Sequence, residues 1–250
     1  MSALHTTTEP QPDRAAETRG RILDAALHEF SANGLAGART EHIAAAAGVN
    51  KALLYYYFDS KEKLYAAAFE LIAGRVRDSS LAAFLREATP GERLVRAAIN
   101  HFDRVLSQRE FQSLMQQEMV RLHRGEEGML PVLVKKVFEP LMILYRSTVR
   151  DGIASGEVIE AEWMQFMLAG LGANVFYFLS APVWKLALGE DPLTVEKIAA
   201  RRKALVEFLG QAIFKDREHG GRVAAKVLAD TPMPAIDGDR LTFGGKCERS

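Results

Sequence analysis

The chain has 250 residues, 48% apolar and 26% charged, enough for one large or two small domains around a buried core. Lys plus Arg and Asp plus Glu each number 32, so the chain is no polycation, and any nucleic-acid site must come from local placement of charge. A single cysteine, Cys247 near the end, excludes a disulfide framework and a Cys-rich zinc site and suits a reducing cytoplasm.

Residues 1–16 are rich in Thr, Pro and Glu, lack the apolar run of a signal peptide, and are expected to form a disordered tail. From residue 17 to 33, Ile22, Leu23, Ala26, Leu27 and Phe30 recur at spacings of three and four, which predicts a helix stopped by Gly34. Thr40 opens a second, short helix, as its N-cap or within its first turn, with Ile43, Ala44 and Ala47 as the packing face and Gly48 as the stop. After Gly48, Val49 and Asn50 the chain becomes helical again from Lys51 to Phe58. Asp59 and Ser60 break it, and Ser60 is the expected N-cap of a long helix. Two short helices joined by a tight, glycine-led turn form the helix-turn-helix pattern.

The second of those helices reads KALLYYYF. Three successive side chains on a helix point three ways, so Tyr55, Tyr56 and Tyr57 cannot all face one core. Leu54 and Phe58, at i and i+4, serve the core instead, which leaves aromatic surface looking outward.

Beyond Pro90 the pattern is helical near 91–107, 110–123, 131–154, 160–180 and 193–214. The breaks fall at Pro90, at Gly125, Gly128 and Pro131, at Gly152 and Gly156, and at Pro182, Gly189 and Pro192. With no strand pattern, the expected fold class is all-α. An N-terminal three-helix domain (17–63) precedes a larger helical domain (64–215) and a flexible tail (216–250), with a helical turn at AAKVLA (224–229) as the alternative within it. Residues 163–184 carry no charge and are long enough to span a bilayer, but Gln165, Asn174 and Pro182 interrupt them. A helix that is apolar all round serves equally well in a large core or an oligomer interface, and that reading is preferred.

Residues 22–64 resemble the DNA-binding domain of the TetR family of transcriptional regulators. The resemblance rests on Ala25, Ala26, Phe30, Gly34, Thr40, Ile43, Ala44, Ala47, Gly48, Val49, Leu54, Tyr55, Phe58 and residues 61–64. It implies a cytoplasmic homodimer that sets two recognition helices into successive major grooves of a palindromic operator. It also implies a small-molecule effector in the C-terminal domain that releases the DNA, and, as in most members, repression.

In a helix-turn-helix module the N-terminal residues of the second helix meet base edges. Here these are Lys51, Ala52 and Leu53, with Tyr56 one turn on. Lys51 can donate to guanine, whereas Ala52 and Leu53 offer only apolar contact. For Leu53 the plain alternative is a core leucine. The resemblance makes Thr40, Tyr55, Tyr57 and Lys61 phosphate contacts, with Arg39 and His42 as further candidates. Thr40 has N-capping as its alternative role, and Lys61 that of a solvated surface charge.

In the second domain, Phe102, Met115, Met119, Phe138, Met142, Tyr145, Trp163, Phe166, Asn174 and Tyr177 are candidate effector contacts, each with an ordinary core role as the alternative. No conspicuous buried charge stands out, so a largely apolar or aromatic ligand is expected. Leu168, Gly172, Val175 and Leu179, with Leu205, Phe208, Leu209 and Ile213, are expected at a four-helix dimer interface like those of the family. His101 and His123 lack a ligand set, so no metal site is expected, nor any cofactor. Phosphate loops, HExxH and nucleophile elbows are all missing from the sequence, which argues against an enzyme. A helical enzyme or a membrane-associated dimer remains the alternative reading.

Overall fold

The structure is a computed structural model that describes residues 14–235; the sequence expectations for residues 1–13 and for Cys247 lie outside them. Helix α1 (Arg14–Gly37) buries the stripe of Ile22, Leu23, Ala26, Leu27 and Phe30. One detail differs from expectation: residues 14–16 form its first turn rather than part of a tail. Gly34, at φ 68° and ψ 174°, leaves the helical conformation and ends the regular helix as expected. Ala38 N still reaches the Gly34 carbonyl at 3.1 Å, so a further turn forms beyond the kink.

Helices α2 (Thr40–Ala46) and α3 (Lys51–Phe58) follow, then the long α4 (Lys61–Leu85). The turn at 47–50 contains Gly48 at φ 66°, a conformation that costs glycine nothing. Asn50 caps α3 by accepting from Leu53 N at 2.8 Å, and Ser60 caps α4 by accepting from Lys63 N at 3.1 Å.

The remaining helices are α5 (Pro90–Ser107), α6 (Arg109–His123), α7 (Leu130–Leu133), α8 (Glu139–Ala154), α9 (Trp163–Met167), α10 (Ala173–Leu188), α11 (Val195–Ala212) and α12 (Arg217–Asp230). A π turn at Val134–Phe138 joins α7 to α8, and another at Leu168–Gly172 joins α9 to α10. No strand occurs among the described residues, and Val158 and Phe214 make an isolated bridge. The all-α class stands.

The apolar side chains form two cores. One holds Ile22, Phe30, Ile43, Leu54, Phe58 and the first half of α4 from Leu64 to Val76, and it recruits Phe111 and Leu114 of α6 with Leu133 and Val137. The other is centred on α5 and takes in Phe84, Tyr145, Phe166, Phe178 and much of α11 and α12. The helix α4 therefore belongs to both cores, and the boundary drawn at 63/64 cuts through the first. A charged helix start such as KEKL looks like a new domain in sequence, but packing continues across it.

Two other expectations fail here. Pro182 does not break its helix: α10 continues to Leu188, where Gly189 at φ 70° stops it. An interior proline costs about 3 kcal/mol, and the buried residues Asn174, Phe178, Ser180 and Ala181 anchor the part of α10 that precedes it. The segment from Asp216 is no flexible tail through residue 230, because Asp216 caps α12 by accepting from Glu218 N and His219 N, and Val223, Ala224 and Val227 are buried. Gly220, against Gly210, lets α12 lie directly on α11.

Candidate nucleic-acid interface

The N-cap on α3 fixes which way its face points. Leu54 and Phe58 are 0% and 5% exposed, whereas Tyr56 is 79% exposed. Lys51 and Ala52 are also exposed, and Leu53, Tyr55 and Tyr57 are half-buried. The triple tyrosine is thus divided as its spacing requires. Tyr57 lies edge-on to Tyr56 at 5.6 Å and beside Phe58 at 6.4 Å, so its ring supports the exposed one.

The candidate phosphate contacts cluster unevenly. Tyr55 Oη and Thr40 Oγ1 meet at 3.4 Å, which ties the two helices of the motif together. Thr40 is mostly buried and occupies the first turn of α2; the N-cap position belongs to Arg39, whose side chain makes no cap bond, so Thr40 does not cap. The Arg39 side chain is exposed, while its backbone N–H donates to Glu29 Oε1 at 3.0 Å. His42 Nδ1 lies 3.6 Å from the same carboxylate. Lys61 Nζ donates to the Ala36 carbonyl at 3.2 Å and so closes the end of α1 onto the start of α4.

Lys51 is not a free cation. Its ammonium is hydrogen-bonded to Glu41 of α2 and lies 5.9 Å from the Tyr55 ring centroid. That bond holds the Glu41 carboxyl below the usual carboxylate range and the Lys51 ammonium above its own. Both groups face solvent, so a partner can exchange one for the other. Sequence reasoning passed over Glu41 and Asn50, although an Asn immediately before a helical run is a capping signal.

The predicted effector contacts do not converge. Phe102, Tyr145, Phe166 and Asn174 are buried in the second core, with Trp163 and Tyr177 packed against it. Met115 and Phe138 pack on the first core, Met119 is exposed, and Met142 is half-buried. Trp163 alone of them lines the open groove of about 640 Å³ beside α8, with Ile143, Arg146, Arg150 and Ile153.

The predicted interface residues also separate. Leu168, Val175, Leu179 and Phe208 are exposed, whereas Leu205, Leu209 and Ile213 are 1%, 3% and 6% exposed within their own chain. Those last three are core residues, contrary to expectation, because α11 turns them into the second core that it shares with α5 and α12. Gly172 is half-buried in the π turn. Around the exposed four, Phe176, Val183 and Leu186 extend the uncovered apolar face of α10. The helix Trp163–Leu188 is long and apolar enough to cross a membrane by composition, with 28% of its most apolar stretch buried. No group of three or more His, Cys, Asp and Glu side chains suited to a metal occurs among the described residues.

Two short helices across a four-residue turn, with a core-anchored and outward-facing second helix, define a helix-turn-helix domain of the DNA-binding kind. The family model for bacterial regulatory proteins of the tetR family matches residues 22–68, and this segment belongs to that family. It is 33% identical over 118 residues to the HTH-type transcriptional repressor NicS of Pseudomonas putida, covering 47% of this chain and 55% of that one. To the HTH-type transcriptional regulator BetI of Rhizobium meliloti it is 40% identical over 76 residues, covering 30% and 37%. The chain thus spans about half or less of the length of these curated relatives. Among solved structures, the Streptomyces coelicolor protein SCO4942 superposes with a TM-score of 0.59 at 26% identity, over 78% of this chain and 98% of that one. A Saccharomonospora viridis protein solved with choline reaches a TM-score of 0.62 at 19% identity, over 80% of this chain and all of the other, which shows the shared fold.

Proposed function

We propose that this protein is a DNA-binding transcriptional repressor that acts as a homodimer on a palindromic operator and is released by a small molecule held in its second domain. The observation that carries this reading is the exposed face of α3. Lys51, Ala52 and Tyr56 stand in solvent while Leu54 and Phe58 hold the helix to the core. Arg39, Thr40, Tyr55, Tyr57 and Lys61 flank that face as phosphate contacts, with His42 beside them, and Leu53 supplies apolar contact at its edge. Charge in this domain is nearly balanced, nine Lys and Arg against eight Asp and Glu between Asp13 and Arg77. Binding therefore depends on a few placed contacts and weakens as salt rises.

The uncovered apolar face of α10, with Leu168, Val175, Leu179 and Phe208, supplies the dimer contact, and a two-fold dimer matches a palindrome. In this reading the apolar stretch of α10 packs against a second copy rather than lipid, and the protein works in the cytoplasm without catalysis. NicS, a relative named as a repressor, supports the direction of control. The deciding experiment is selection of bound duplexes from a random DNA pool with the full-length protein. Enrichment of a palindrome supports the reading; a pool that stays unenriched sinks it.

A further inference from the structure

The second core contains a cation with no counter-charge. Arg104, on α5, donates from Nη1 to Ser80 Oγ at 2.5 Å and to Asn100 Oδ1 at 3.2 Å, and it makes no ion pair among the described residues. The neighbouring carboxylate is already taken: Asp103 receives Arg202 Nε at 2.6 Å and Nη2 at 2.7 Å. Burial pushes the Arg104 guanidinium down to about 10, which still leaves it charged at neutral pH. His101, one turn earlier, is pushed down to about 3 by burial and by Arg104, and stays neutral.

Polar atoms around this stripe lack partners as well. Arg104 Nε, Gln108 Oε1 and Asn174 Oδ1 are closed off from solvent and hydrogen-bonded to nothing. Asn174 is 0% exposed and approaches from α10, where its Nδ2 donates to the Ala98 carbonyl at 3.0 Å and lies 3.4 Å from His101 Nδ1. It lies two residues beyond the π turn at Leu168–Gly172, a deformation that recurs at functional sites. Native interiors leave few polar atoms unpaired, and an unpaired buried charge is the costliest of them. Arg104 and His101 are half-buried rather than fully enclosed.

We infer that the effector binds through a carboxylate, which accepts from Arg104 where α5 meets Ser80 of α4 and Asn174 of α10, while a donor group on the same molecule serves Asn174 Oδ1. The surrounding side chains belong to the apolar second core, Phe102 and Phe178 among them, so the rest of the molecule is apolar. The effector is therefore a small organic acid. This deepens the proposed function and rests on it, and it adds a carboxylate to the largely apolar or aromatic ligand expected from sequence.

The test uses the full-length protein with benzoate, phenylacetate, hexanoate and decanoate, each beside its primary amide, in calorimetric titrations and thermal melts. The expected result is that at least one acid binds tenfold or more tighter than its amide. Arg104→Met should abolish that preference and Arg104→Lys should keep part of it. Without ligand, Arg104→Met should melt no lower than the parent protein, because it removes a buried charge that has no partner. Acids and amides binding alike, no binding at all, or a preference that survives Arg104→Met overturns the inference, and so does a folded Arg104→Lys without any preference. DNA affinity is followed in parallel. Acid binding that leaves DNA affinity unchanged refutes release by effector while the anion site stands. Absence of acid preference in a protein that selects a palindrome refutes the anion site alone.

Discussion

Tyr65 Oη donates to Glu118 Oε1 at 2.7 Å, a buried bond between α4 and α6 across 53 residues of chain. The Glu118 side chain is fully buried and also accepts from Arg121 Nη1 at 2.9 Å and from the Met129 backbone N–H. Burial, and then the neighbouring carboxylate, hold the Tyr65 hydroxyl far above its usual titration range, so it is always a donor. Its ring meets Phe30 of α1 edge-on at 5.0 Å. One tyrosine therefore joins the helix that supports the DNA-binding motif to the helices of the second domain. Tyr65→Phe removes a donor to a buried charge and should cost about 1.5–3 kcal/mol, read from urea unfolding. Under the proposed function it should also change the ratio of DNA affinities with and without effector, whereas a packing role alone would leave that ratio untouched.

The close approach of α11 and α12 depends on two glycines. A Cβ on Gly210 would lie 2.7 Å from the Gly220 carbonyl oxygen, and one on Gly220 would strike the Gly210 carbonyl oxygen. Alanine favours a helix over glycine by about 1 kcal/mol, but here the obstacle is backbone and cannot turn aside. Gly220→Ala should therefore destabilise by about 1–3 kcal/mol, the usual range for overpacking. Limited proteolysis should cut α12 first, even though Lys226 and Asp230 tie it to Glu92 and Arg96 of α5 at 2.9 and 2.6 Å.

Neighbours on α11 should respond to charge in opposite ways. Phe208 is 60% exposed and Leu205 only 1%. Phe208→Asp, combined with Leu179→Asp on α10, should give a folded monomer in sedimentation velocity. Leu205→Asp buries an unpaired charge and should instead abolish the cooperative melt. A stable dimer with both exposed positions charged would show that this face is not the interface.

The Lys51–Glu41 pair predicts a gain of function. Glu41→Gln releases the Lys51 ammonium and removes a negative charge beside the groove, so operator affinity should rise severalfold at low salt. Lys51→Ala should alter preference between sequences. Lys61→Ala should weaken binding to all sequences alike and lower the salt slope by about one. Gel-shift titrations at several salt concentrations distinguish these outcomes.

Stability should fall in mild acid through His101. Its folded-state value of about 3 lies below the unfolded value of 6.5, so the unfolded chain binds the extra proton. The contribution of the neutral ring is complete above pH 6.5 and is lost as pH falls toward 3. Between about pH 6.5 and 4 the loss amounts to roughly 3 kcal/mol. Arg104 contributes by facing the ring. His101→Asn should flatten that part of the stability-versus-pH curve measured by denaturant unfolding.

The sequence by itself determined the helix-turn-helix. The stripe in α1, Gly48 in the turn, and Leu54 and Phe58 at i and i+4 are local signals, because helical periodicity and left-handed turns are set within a few residues. The same reasoning divided the triple tyrosine, and the structure leaves Tyr56 as the exposed ring. Contacts between distant segments were not legible. Nothing in the stretch around Leu205 and Leu209 shows which side of α11 faces its own core, and Gly220 has no visible role until Gly210 lies against it. The pairings of Glu41 with Lys51 and of Tyr65 with Glu118 were equally hidden, as was the isolation of Arg104. Each depends on which segments the fold brings together, and on whether a charge meets its partner or is left without one, and only the tertiary structure decides that.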